Sequence, residues 1–599
     1  MAKKSVLLDF LNGYEDDGGA SGSKRFFSRS YSGRVTGSNR SLLSRSVRVG
    51  NRITETLSFT ASNAYGIGFL IYGLFTFVAY FLNDFFFISQ ADGRYAVFIG
   101  IASALLSVPL LFSEKPLSLL IQNNKVTDFL VFEFLCVKRP HTTEQTRPLP
   151  KFVPGIVGAL LGALGLFVPT YAVVFAFIGI VVIYLTLLSP EFAFILSLLV
   201  LPYLQIIPYS EIVFPIMVAL TFASFVRKVV CGKRAFFAEQ YDLFITLMLV
   251  AILVSGIFIK GFESFTSSVV MIVMALGYTL AGNLVTNRRI ADCVLNAVVV
   301  SSIPASVYSV YTFIYIIANK NYPELMDGIA STFDSTSSAA IFLLVGTTIA
   351  FALSRQVSGV PRVAYLITSG LNFVALLFTF EIFALLALSL GALAYLIQKA
   401  RIIAFPLILL ASLIPYALFF IPESFVNWVS QYLGGAGVIV ALPKLWSKCA
   451  AAFGDNVLSG IGMGGESFVA EMKKYGVSGY ESSENIFIEL ALEAGIFALV
   501  FFALALFVRV RHSAVYQGYL RHSQMSTSGP FVLALSFALI CYGATEYIFA
   551  NSPSFYLFWC VFGIGSAALR VAKKEIDDRT QYYEDTRDTD YSAIDIDLR

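Results

Sequence analysis

Three glutamates gather at one end of a strongly apolar segment: Glu484 just before its start, and Glu489 and Glu493 inside it. Glu489 and Glu493 are four residues apart, so a helix sets them on one face. At 1.5 Å per residue, Glu493 lies roughly 13 Å from Glu484. A carboxylate at a helix start has two readings. It is an acid favoured by the positive end of the helix dipole, by ~0.3–1 kcal/mol, or a general base whose pKa burial has raised. Carboxylates inside an apolar span are costly, so they read either as polar contacts within the bundle or as functional groups. Glu546, near the end of a second apolar segment, joins the same short list. Upstream, Lys444 and Lys448 flank Trp446. If 441–453 is helical, both ammonium groups point the same way, toward either an anionic ligand or lipid headgroups. Lys473 and Lys474 read as a solvated, mobile pair. Gly460, Gly462, Gly464 and Gly465 form a tight-turn cluster, and no GK[ST] follows to make it a phosphate-gripping loop.

The elements that must carry these residues are membrane spans. Of 599 residues, 57% are hydrophobic and 14% charged, against about 25% charged in soluble proteins. Mean hydropathy is +0.75. These values exclude an ordinary soluble domain, a disordered chain and a nucleic-acid binder. The 56 Phe and 30 Tyr suit a bilayer and its interfaces. Apolar segments lie near 65–88, 95–112, 152–168, 171–188, 191–207, 211–226, 241–259, 264–285, 290–317, 337–354, 363–379, 382–398, 402–420, 485–508, 530–548 and 553–571. Some are short, so about 12–16 transmembrane helices are expected in an all-α polytopic protein. Residues 118–137, interrupted by Asn123, Asn124, Lys125 and Asp128, read as an interfacial helix.

Residues 1–60 hold ten Lys/Arg against five acids and no signal-peptide core. They read as a basic cytoplasmic arm, either disordered or lying on anionic headgroups. Residues 573–599, with nine acids and five bases, read as a solvated acidic tail. With the N-terminus inside, alternating spans put 19 Lys/Arg in inner loops and 7 in outer ones. That asymmetry fits the positive-inside rule and places both termini in the cytoplasm. The spans divide into an N-terminal group, 61–289, and a later region, 290–572. The six cysteines show no CxxC spacing, so no disulfide framework and no zinc site is expected.

Residues 421–484 form one long outer loop between late spans, which is where chemistry is expected. The apolar content of 436–469 suggests packing onto the membrane surface. At this loop the chain resembles the O-antigen ligase and O-antigen polymerase family of bacterial membrane glycosyltransferases. Four stretches carry the resemblance: STFDSTSSAAIFLL (331–344), ALLFTFEIFALLALSLGALAYLI (375–397), LPKLWSKCAAAFGDNVLSGIGMGGESF (442–468) and SSENIFIELALEAGIFALVFF (482–502). Together they cover roughly 290–570, and their order and spacing carry more weight than any one of them.

The resemblance implies a metal-independent, cofactor-free, inverting transfer at the outer face of the bacterial cytoplasmic membrane. A glycan leaves undecaprenyl pyrophosphate and joins an acceptor glycan or lipid. Arginines of the family hold the pyrophosphate, and a histidine serves the acceptor hydroxyl. Here the histidine position carries Glu484, while Asn485, Glu493 and Gly495 match. One arginine position carries Glu381 and another Leu442. The three histidines, His141, His512 and His522, all fall inside by this topology. The resemblance thus makes Glu484 the catalytic base, with Lys444, Trp446, Lys448, Asn485, Glu381 and Glu493 toward the substrate. Either the chemistry has been rebuilt on these residues, or the protein binds lipid-linked glycan or a partner enzyme without catalysing. A transporter is a third reading, weakened because only one broken helix pair, 363–398, is visible and transporters of this size usually repeat such pairs.

Overall fold

The computed structural model describes residues 42–86, 93–137, 148–207, 209–231, 234–239, 241–259, 262–319, 328–399, 437–523, 525–526 and 528–596. Among these residues there are helices and no strand. Nine helices are long and apolar enough to cross a membrane, and six shorter apolar helices accompany them. Helices are expected, because a chain in hydrocarbon must satisfy its backbone polar groups within each segment.

The described residues form two compact units. The smaller comprises the described residues from Leu42 to Ala193 and within Leu220–Ala235. It contains α1 (Leu42–Phe59), α2 (Ser62–Phe86), α3 (Gly93–Leu111), short α4 (Leu117–Asn123) and α5 (Lys125–Asp128), α6 (Phe152–Leu164) and α7 (Thr170–Leu188). Small residues let α2 and α6 touch backbone to backbone. A Cβ on Gly158 would lie 2.2 Å from the Gly68 carbonyl oxygen, so no other residue fits there. Only 11% of α7 is buried while its mean hydropathy is 2.6, the profile of a helix against lipid tails.

Two expectations change in this unit. The arm expected through residue 60 is helical from Leu42. Residues 118–137 are not one interfacial helix. They break into α4, α5 and a π turn, Phe129–Phe134, with the Asn124 side chain capping α5 at Val126 N.

The larger unit comprises the described residues within Phe194–Ala219 and from Phe236 to Ile596. Between the units' sequence ranges run α8 (Pro190–Val200), continued as a 3₁₀ turn Leu201–Ile206 at Pro202, and α9 (Ser210–Val230). Then follow α10 (Asp242–Phe258), α11 (Phe262–Leu284), α12 (Arg288–Ala318), α13 (Thr336–Ser354), α14 (Val360–Phe378) and α15 (Ile382–Lys399). The span expected at 402–420 lies outside the described residues. After it come α16 (Gly437–Asp455), α17 (Gly465–Met472), α18 (Ile486–His522), α19 (Ser528–Gly543) and α20 (Ser552–Ile596).

Helices α13 and α20 are the centre of this unit, with 78% and 89% of their spans buried. Polar side chains join the helices inside: Asn372 of α14 donates to Ser302 Oγ of α12 at 2.9 Å, and Ser369 donates to the Thr347 carbonyl of α13 at 3.0 Å. Such bonds replace the hydrophobic drive that lipid cannot supply between helices.

Three further expectations are corrected. The expected acidic tail from 573 is the continuation of α20, helical to Ile596. The expected span 530–548 stops at Gly543, which leaves Glu546 in a turn. The loop 421–484 is largely helical where described, and the apolar side of its first helix is buried within the chain. Leu442, Leu445, Cys449 and Ala452 of α16 pack with Phe468, Met472 and Leu492 of the same chain.

Candidate functional site

The site is built where α13, α15 and α18 begin and where α14 and α19 end. Ser335 caps α13 by accepting from Ser338 N, which leaves the next two hydroxyls free to turn outward from the helix. Thr336 Oγ1 donates to Glu381 Oε1 at 2.7 Å. Ser337 Oγ donates to Glu546 Oε1 at 2.7 Å. Glu381 sits in the three-residue break between α14 and α15, beside Phe380, which has a left-handed backbone with φ 55°.

Glu484 also has φ 55°, an uncommon conformation for a residue with a side chain. The helix dipole argument expected Glu484 at the start of α18. The cap is instead Asn485, whose Oδ1 accepts from Phe487 N and Ile488 N at 2.9 and 3.2 Å. Asn485 Nδ2 donates to the Ala544 carbonyl at 2.6 Å, which ties the start of α18 to the turn that holds Glu546. Both ends of the Asn485 amide are thus engaged within the protein.

Freed from the cap, the Glu484 carboxylate turns to that same turn. The Tyr547 backbone N–H and the Glu546 carboxyl lie beside it, with Glu381 near enough to act on it electrostatically. Carboxyl groups this close oppose one another's ionisation, so one of them keeps a proton. Burial, and then the neighbouring Glu381 and Glu484, push Glu546 up to about 8. Burial also raises Glu484, with Glu381 adding to it, and burial raises Glu381 against the Thr336 and Ser337 hydroxyls. Glu546 is therefore the natural holder of the proton and Glu484 the natural acceptor.

One turn into α18, Glu489 is fully buried. Its Oε2 accepts from Ser483 N at 2.6 Å, and its Oε1 has no hydrogen-bond partner. Glu493 is buried one turn further, with Oε1 accepting from Gly464 N at 2.8 Å and Oε2 from the Tyr547 hydroxyl at 2.7 Å. It therefore links the glycine loop to the turn that holds Glu546.

The glycine loop is held by a deliberate interruption of α18. Gly495 has φ 78° and ψ −179°, outside helical space. Carbonyls just before it lose their helical partners and take others from the loop: Leu492 O from Ile461 N at 2.7 Å and Glu493 O from Gly462 N at 3.1 Å. Gly460, Gly462 and Gly464 all have positive φ, in agreement with the turn read from sequence. The loop also touches α10 and α11, where Ser255 Oγ donates to Ser459 O at 2.7 Å and Met463 N donates to Ser264 Oγ at 2.9 Å.

Helix α16 puts Lys444 and Lys448 on its exposed side, as its helicity required. Neither lysine makes an ion pair among the described residues. They flank Trp446, whose Nε1 donates to the Ser483 carbonyl at 2.8 Å, next to Glu484. Lys473 and Lys474 are both exposed, as expected of a solvated pair, and Lys474 pairs with Glu471 at 2.5 Å on the surface.

Of the sequence-derived residues, Glu381 and Glu484 come together, and Trp446 and Asn485 buttress them. Glu493 supports the glycine loop, and the two lysines stand apart on α16. Glu546 becomes the third member of the cluster. Thr336, Ser337 and Tyr542 were not singled out. The Ser/Thr-rich start of α13 was the available signal for the first two. Tyr542 has the composition of any aromatic in a span and offered none. No family model matches the chain, and no curated protein matches it.

Proposed function

We propose that this protein is an O-antigen ligase- or polymerase-like membrane glycosyltransferase, built on about 12–16 spans. It acts on undecaprenyl-pyrophosphate-linked glycan at the outer face of a bacterial cytoplasmic membrane, with both termini cytoplasmic. The observation that carries this reading is the meeting of Glu381, Glu484 and Glu546 at one end of the bundle. Glu381 and Glu484 occupy the arginine and histidine positions of the resembled motifs, and they lie 103 residues apart (484 less 381). The other two resembling stretches reach the same place, through Thr336 and Ser337 and through Trp446.

In this reading the acceptor hydroxyl gives its proton to the Glu484 carboxylate while its oxygen attacks the anomeric carbon. The bond from that carbon to the pyrophosphate oxygen breaks, and the pyrophosphate departs with the electron pair. Glu546 holds its proton on Glu484 in the resting site and yields it to solvent when the acceptor arrives. Lys444 and Lys448 supply positive charge for the leaving group, which favours the transition state as charge grows there. Membrane lipid and the two glycans are the only partners the mechanism uses, and no metal or cofactor enters it.

The test is transfer by the purified full-length protein from a lipid-pyrophosphate-linked oligosaccharide. Glu484→Gln keeps the shape and removes proton acceptance. Activity should fall by roughly 10²–10⁴, the usual worth of a general base, and Glu484→His should keep part of it. Full activity in Glu484→Gln would falsify the base assignment. The loss of arginine at position 381 and histidine at 484 favours a second reading, a non-catalytic binder of lipid-linked glycan. Binding without transfer from any such donor would select it.

A further inference from the structure

The three carboxylates have no cationic partner. No lysine or arginine pairs with Glu381, Glu484 or Glu546 among the described residues, and all three are largely buried. Their oxygens are not gathered at metal-ligand spacing. Beside them stands Tyr542, fully buried, with its hydroxyl toward Glu381, Glu546 and Glu484. That hydroxyl lies near Ser337, but it has no hydrogen bond of good geometry among the described residues. A buried hydroxyl without a partner is rare and points to a group missing from the site.

We propose that this site selects a glycan carrying a free amino group, whose ammonium sits among Glu381, Glu484, Glu546 and the Tyr542 hydroxyl. The inference rests on the glycosyltransferase reading for its placement on a glycan and deepens it by naming the sugar class. An ammonium has three donors and no acceptor. Ionised carboxylates only accept, and the Tyr542 oxygen has lone pairs to offer. A cluster of one sign also repels anionic sugars such as uronic acids and draws cations in. N-acetylation removes the charge and two of the three N–H donors, so the same sugar in N-acetyl form loses the match.

Binding has a proton balance. The ammonium enters, the proton held by Glu546 leaves to solvent, and the charges pair. The groups facing the cluster are Thr336 and Ser337 from α13, Glu381 between α14 and α15, Glu484 before α18, and Tyr542, Glu546 and Tyr547 at the end of α19. None carries positive charge. Affinity therefore rises with pH, by up to tenfold per unit, until the amine itself loses its proton.

The experiment compares glucosamine oligosaccharides with their N-acetylated counterparts, binding to the purified full-length protein by calorimetry. The amine form should bind at least tenfold more tightly at neutral pH, and the preference should grow with pH. It should shrink to under threefold in Glu381→Gln with Glu546→Gln, and fall several-fold in Tyr542→Phe. Glu263 and Glu466, an acid pair on the surface elsewhere, serve as the control. Their replacement by Gln should leave the preference intact. Equal affinity for the two sugars overturns the inference, as does an equal loss in the control. Amine preference without transfer from any lipid-linked donor would sink the glycosyltransferase reading alone. Transfer that ignores the amine would sink the inference alone.

Discussion

Glu484 owes its position to a division of labour between neighbours. Asn485 caps the helix, so Glu484 is released to face Glu546, at the expense of a left-handed backbone. Strain of this kind, of order 1–3 kcal/mol, persists where surrounding contacts over-determine it. Two pH effects follow. As a base, Glu484 must be ionised, and burial raises its pKa. Transfer should therefore rise with pH through that raised value and fade below it, as a pH profile of kcat/KM will show. Glu546 works on stability. Its ordinary value is 4.5 and its folded value about 8, so the folded state binds the extra proton between them. That stability is present below about 4.5 and is lost as pH rises to about 8. Melting of the purified protein should drop across this window, and Glu546→Gln should flatten the dependence. An unchanged slope in the variant would count against Glu546 as the proton holder.

Helix α18 shows how one element serves both scales. Its break at Gly495 turns two carbonyls toward the glycine loop, and Glu493 reinforces the join through Gly464. A Cβ at Gly495 would lie 2.4 Å from the Leu458 carbonyl oxygen, in a backbone conformation that L residues avoid. Gly495→Ala should cost more than about 1 kcal/mol, since the native conformation is incompatible. It should also expose the 456–465 loop to protease while Glu484 remains in place. Gly370 is the control: it lies within α14 with nothing near its Cβ, so Gly370→Ala should be neutral or stabilising. If both variants melt alike and resist protease alike, the loop does not depend on the break.

For the whole molecule, the contacts gather the ends of alternate helices. Thr336 opens α13, Glu381 follows α14, Glu484 precedes α18 and Glu546 follows α19, and all four meet. Within the larger unit, that is the pattern of helices running up and down with the glutamates at one end. The lysine and arginine asymmetry of the sequence predicts that this is the outer face. Cysteines introduced at Gly437 and Ser478 should react with a membrane-impermeant reagent in intact cells, and one at Ser358, at the other end, should not. Reversed labelling would place the glutamates on the cytoplasmic side and remove the case for an outer-face transfer.

The apolar segments were legible because hydropathy is local: each span must bury its own backbone bonds and face lipid or a neighbour, whatever else the chain does. The helicity around Lys444 and Lys448 and the turn at Gly460–Gly464 were legible for the same reason, as spacing and glycine content act over a few residues. Helix α1 went unread although its amphipathic spacing is local, because ten basic residues dominate the composition of residues 1–60. The apolar side of α16 was legible, but its partner was not, since Leu445 and Phe468 pack equally well on lipid or on Leu492 by composition alone. Tertiary structure decided the site. Glu381 and Glu546 are 165 residues apart (546 less 381), and nothing local in either position indicates the other. They meet because alternating helices return their ends to one face, where three carboxylates with no cation beside them among the described residues oppose one another's ionisation.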